Sequence, residues 1–101
     1  MNTASLELSK ELYEVSGWDN GWYSYWGRGV VARDSTEQRI CPAYDLGYLI
    51  RKFKGYGGIE IRYGDTGCIA TSHVWSIESD TPEDAVSLLA IELFKQGILK
   101  R

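Results

Sequence analysis

Few residues of this 101-residue chain could make or break bonds: it holds two cysteines, Cys41 and Cys68, and one histidine, His73. A zinc site normally takes four ligands, and no spacing of carboxylates completes a set around these three side chains. No metal and no cofactor is therefore expected. A nucleophilic Cys68–His73 pair fails on geometry, because a separation of five along one strand sends the two side chains to opposite faces. A non-enzyme is the expectation, with a hydrolase using His73 as the enzymatic alternative. Both thiols are expected to be buried and unpaired, since Cys is among the most buried residue types and no leader peptide precedes them. The glycine-rich run at 55–58 lacks the lysine and Ser/Thr of a phosphate loop.

Binding chemistry is better represented. Five aromatic residues lie between positions 18 and 26: Trp18, Trp22, Tyr23, Tyr25 and Trp26. On a strand, Trp22, Ser24 and Trp26 share one face and Tyr23 and Tyr25 the other. A small domain with helices on one side of an antiparallel sheet buries one face only. One ring set then fills the core, and the other needs a cover. That cover could be Trp18 or the 34–39 loop, a second copy, a protein partner or a flat ligand. Trp and Tyr are frequent interface anchors, which makes Trp22, Tyr23, Tyr25 and Trp26 the first candidate binding residues.

Two further groups deserve a role or a reason for lacking one. In the second hairpin an Asp65-Thr66 turn pairs Tyr63 with Cys68. Ile59, Ile61, Tyr63, Cys68, Ala70, Ser72 and Val74 are then expected to face the core. Glu60, Arg62, Ile69, Thr71, His73 and Trp75 take the other face, so Arg62 and Trp75 join the candidate surface. On the second helix Tyr44, Tyr48 and Arg51 recur at i, i+4 and i+7 beside Lys52. Aromatics interleaved with cations can hold nucleotides or acidic surfaces, and half-exposed tyrosines can also do nothing at all. The acids Glu78, Asp80, Glu83 and Asp84 are few for nucleic-acid mimicry, and two of them suit a helix N-terminus.

The elements that must position these groups follow from turn and capping signals. Ser9 is a candidate N-cap for a helix over 10–16, with Leu8 and Tyr13 as a hydrophobic staple and Gly17 as the stop. Residues 22–26 and 30–33 read as a hairpin, and 34–39 as a loop. Pro42 suits position N1 of a helix running to about Phe53, with Leu46, Leu49, Ile50 and Phe53 on its apolar face. Ile59-Glu60-Ile61-Arg62-Tyr63 alternates at period two, and 68–77 reads as its returning strand. Thr81-Pro82-Glu83-Asp84 opens a third helix that Gly97 ends. The fold expectation is α+β: one domain in the order α-ββ-α-ββ-α, with an antiparallel sheet of about four strands covered on one face by helices two and three.

Three segments also resemble a group of small phage, prophage and mobile-element proteins of unassigned activity. They are Leu8-Ser9-Lys10-Glu11-Leu12-Tyr13-Glu14-Val15-Ser16-Gly17-Trp18, Pro42-Ala43-Tyr44-Asp45-Leu46-Gly47-Tyr48-Leu49-Ile50-Arg51-Lys52, and Thr81-Pro82-Glu83-Asp84-Ala85 through Gln96-Gly97-Ile98. The resemblance implies a bacterial host cytoplasm and an accessory protein acting on host machinery, including an anti-defence role. It transfers no catalytic residue. A net charge of −3 argues against nucleic acid as partner, and no apolar span suggests a membrane. The expectation is therefore a protein-interaction module, binding a partner or itself, with a nucleotide-sequestering protein as the alternative.

Overall fold

Three capped helices alternate with two sets of short strands in a computed structural model that describes residues 2–72 and 75–101. The described residues form α1 (Leu6–Ser16), β1 (Ser24–Trp26), β2 (Val30–Ala32), β3 (Arg39–Pro42), α2 (Leu46–Phe53), a 3-10 turn (Lys54–Tyr56), β4 (Glu60–Tyr63), β5 (Cys68–Ser72), β6 (Trp75–Ser79) and α3 (Pro82–Lys95). The class is α+β in one domain. The order is α-βββ-α-βββ-α, and there are two three-stranded antiparallel sheets, β2-β1-β3 and β4-β5-β6, where one four-stranded sheet was expected.

The differences have local causes. Helix α1 begins one turn early because Ser5, rather than Ser9, is the N-cap, its Oγ accepting from Leu8 N–H at 3.4 Å. Ser9 is buried inside the helix and its hydroxyl donates to Ala4 O at 3.3 Å. Leu8 therefore sits within α1, and the staple with Tyr13 does not form. Pro42 does not open a helix; it ends β3, paired with Ser24 on the edge of the first sheet, where a missing N–H is tolerated. Asp45 caps α2 instead, accepting from Tyr48 N–H at 3.2 Å. Within α2, Leu49 and Phe53 are buried, but Ile50 is exposed.

The second hairpin has the expected register, Tyr63 opposite Cys68, with Gly64 N–H donating to Gly67 O at 2.8 Å across the turn. The returning segment is two strands. Ser72 pairs with Trp75, so β6 runs back along β5. Cys68, Ala70 and Ser72 are buried as expected, whereas Tyr63 is 69% exposed. His73 and Val74 lie outside the described residues. Helix α3 follows its signals: Thr81 Oγ1 accepts from Asp84 N–H at 3.2 Å, Pro82 opens the first turn, and Gly97 takes φ 75° after the last.

Helices two and three do not share the task of covering one sheet. Helix α3 lies against β5 and β6, α1 packs on α3 and on β3, and α2 packs on α3. The main core joins Leu12, Tyr44, Leu49 and Phe53 to Val86, Leu89 and Leu93, with Cys68 and Ala70 from the second sheet. A separate, smaller cluster under the first sheet holds Tyr25, Cys41 and Ala43, flanked by Leu6, Tyr23, Val31 and Ile40. Both cysteines are buried and free.

Candidate functional site

Strand β1 is shorter than the 22–26 expected: it spans Ser24–Trp26, so Trp22 lies in a bend and Tyr23 just before the strand, and Ser24 and Tyr25 are both buried. Tyr25 is 8% exposed and faces inward, its hydroxyl donating to Ala4 O at 2.6 Å. Tyr23 is half-buried in the same cluster. These two candidates belong to the small core: Tyr23 and Tyr25 pack inward, and Tyr25 reaches solvent only at the wall of a cleft beside α3.

Trp22, in the bend that leads into β1, is 57% exposed. The Arg33 guanidinium lies 4.4 Å from the Trp22 ring centre, within the range of cation–π attraction. Trp26 is half-buried and donates its indole N–H to Ala32 O at 3.1 Å, so its ring is fixed against β2. Its partner in register, Val30, is 60% exposed. Arg39 of β3 crosses Ser24, donating to Ser24 Oγ at 2.8 Å and to Asp19 Oδ2 at 2.7 Å. Asn20 ties the approach to β1: its Nδ2 donates to Ala43 O at 2.6 Å, and its Oδ1 accepts from Trp22 N–H at 2.8 Å and Tyr23 N–H at 3.1 Å. Trp22 thus projects from a backbone held at both neighbouring amides. Arg33 was not among the sequence candidates; a diagonal contact across a hairpin depends on twist and rotamer, which residue types do not encode.

The other two candidate surfaces fare differently. Arg62 is exposed on the outer face of the second sheet, where it pairs with Glu60, while Thr71 and Ser76 hydroxyls meet at 2.8 Å beside them. Trp75 does not join them. Its pairing with Ser72 puts it on the inner face, half-buried against the main core, because the chain reverses before it. On the second helix, Tyr44 precedes α2 and is fully buried, its hydroxyl donating to Trp18 O and its ring stacked on Tyr48 at 6.0 Å. Lys52 is engaged within the chain, its ammonium 5.5 Å from the Tyr48 ring and 5.6 Å from Trp18, whose own ring meets Phe94 edge-on at 5.2 Å. Arg51 alone of this set is exposed. The stripe is a buttress between α2, Trp18 and α3.

Burial has an electrostatic signature there. Desolvation pushes the Tyr44 phenol well up from its ordinary value and raises the Tyr48 phenol and the Cys41 thiol, with Lys10 and Arg39 pulling Cys41 part of the way back. A buried acid with a raised pKa is neutral in the folded chain. Its stabilisation is complete below the unfolded pKa and is lost as pH rises from there through the folded value. Unfolded tyrosine ionises at about pH 10, so stability should fall steeply above that, by up to about 1.4 kcal/mol per pH unit for each fully buried phenol. Urea titrations between pH 8 and 11 check this, and Tyr44→Phe should flatten the alkaline limb.

A cleft of ≈ 520 Å³ opens between the first sheet and the start of α3, lined by Thr3, Tyr25, Val31, Asp80, Thr81 and Glu83 among others. Two carboxylates on its wall would repel an anionic ligand. Among the described residues no group of three or more His, Cys, Asp or Glu side chains could hold a metal ion, and no helix is long and apolar enough to cross a membrane. Comparison with protein-family models, with curated proteins and with solved structures finds no match to the chain.

Proposed function

We propose that the protein is a non-enzymatic interaction module that docks on another protein through the outer face of its first sheet. The carrying observation is Trp22, more than half exposed, with the Arg33 guanidinium stacked on its ring. Trp and Arg are the residue types that dominate binding energy at protein interfaces, and Trp26 and Val30 supply apolar surface beside them. The fitting partner offers an apolar socket for the indole and a carboxylate for Arg33. The three segments resembling phage and mobile-element proteins suggest the setting: an accessory protein in the cytoplasm of a bacterial host, acting on host machinery.

The test is capture from bacterial lysate with the wild-type protein and with a Trp22→Ala variant whose circular dichroism matches it. Truncating one anchor should weaken the captured complex by about 2 kcal/mol or more, roughly 30-fold in Kd. Capture unaltered by Trp22→Ala and by Arg33→Ala would sink the proposal. The alternative, a nucleotide-sequestering protein, would instead show as a rise in melting temperature with a nucleotide panel; a ligand at 100 times its Kd adds about 2.7 kcal/mol.

A further inference from the structure

The second sheet ends in an edge that is complementary to itself. Strand β4 pairs with β5 on one side only, and among the described residues no strand pairs with its other side. Gly64 N–H bonds Gly67 O, which makes that pair hydrogen-bonded. Antiparallel pairs alternate between bonded and non-bonded, so Arg62 and Glu60 direct their backbone groups to Ile69 and Thr71. Ile59, Ile61 and Tyr63 therefore aim their N–H and C=O groups outward, at the open edge.

A second β4 can bond there only in registers that set these outward residues against each other. Three such registers leave most of the strand overlapped. Centred on Glu60, the pairing opposes two carboxylates; centred on Arg62, it opposes two guanidinium groups. Like charges directly opposite each other destabilise a sheet. Centred on Ile61, it sets Glu60 of each copy opposite Arg62 of the other, and Ile61 meets Ile61. Tyr63 lies opposite the other copy's Ile59, and both belong to the core-side face of the strand. The charges that guard this edge against random pairing thus permit one register. Tyr63, 69% exposed although it sits on that face, would gain the apolar neighbour it lacks.

We infer that two copies of the chain associate about a two-fold axis at Ile61, joining their second sheets edge to edge into one continuous six-stranded sheet. The occupant of the edge is a second copy, and the surface is separate from that carrying Trp22. Four-residue strands bury little area, so the dimer is weak.

Sedimentation equilibrium up to about 1 mM protein, where weak association is visible, tests it. The wild type should dimerise. Arg62→Glu, which puts acids opposite acids, should raise Kd about 10-fold or more, and the swap Glu60→Arg with Arg62→Glu should restore it. Hydrogen exchange should show Ile61 and Tyr63 amides gaining protection with concentration, while the Arg62 amide, already bonded to β5, does not. A wild type monomeric at the highest concentration overturns the inference. So does a dimer indifferent to Arg62→Glu, or one abolished by Trp22→Ala, which would assign self-association to the first sheet.

Discussion

Replacing Tyr44 with alanine should cost about 3–5 kcal/mol, a large share of a domain stability of order 5–15 kcal/mol. Tyr44 heads the fully buried side chains by size and joins three parts of the molecule. Its hydroxyl satisfies the Trp18 carbonyl, its ring stacks on Tyr48 at the start of α2, and its own carbonyl accepts from Ala4 N–H at 2.9 Å. Alanine leaves a cavity in the main core, which also holds Leu12, Leu49 and Phe53, and its cost depends on how far that core can close over it. Tyr44→Phe keeps the ring and loses only the hydrogen bond, at about 1 kcal/mol. Urea midpoints of the two variants measure the difference. A loss of less than about 1 kcal/mol for Tyr44→Ala would mean the site collapses and the ring is not a joint.

Gly67→Val should cost about 3 kcal/mol, the upper part of the usual range for overpacking. The reason is proximity rather than backbone angle. A Cβ on Gly67 would stand 2.5 Å from Ser79 O and 3.3 Å from Ser79 C, all backbone that no rotamer change can move. Ser79 is the register partner of Cys68, so relief requires β6 to shift along β5 and to drag the loop that feeds Thr81 and α3. Gly64→Val, in the same turn, meets only Gly67 O at 3.7 Å and makes the matched control for loss of a glycine. Thermal melts of the pair should separate by several degrees, since about 1 kcal/mol shifts the Tm of a domain this size by roughly 4–8 °C. Equal melts would show that the approach of Ser79 is relieved at no expense.

What could be read from the residues divides along physical lines. Helix α3 was legible because Thr81, Pro82 and Gly97 each permit few other conformations. The turn at Gly64 to Gly67 was legible for the same reason, and the Tyr63–Cys68 register came with it. The reversal between Ser72 and Trp75 carries no Gly, Pro, Asn or Asp, so β5 and β6 read as one strand and Trp75 fell on the wrong face. Pro42 serves equally well at a helix start or on a sheet edge, and only the tertiary pairing with Ser24 decides between them. Ser5 and Ser9 are both competent caps, four residues apart. At the candidate site, alternation predicts opposite faces for Trp22 and Tyr25, but β1 begins only at Ser24 and Trp22 is exposed in the bend before it. Which face was covered depended on Leu6, a residue of α1 that no local pattern connects to β1.

The two hydrophobic clusters differ in what holds them. The second sheet packs on α3 through β5 and β6, whereas the first packs on α1 through β3 around Tyr25, Cys41 and Ala43, with the Tyr25 hydroxyl bonded to Ala4 O. Local opening free energies follow the apolar contact and buried hydrogen bonding of each cooperative unit. The first sheet is accordingly expected to open at a lower free energy than the second, with its amides exchanging ahead of those around α3.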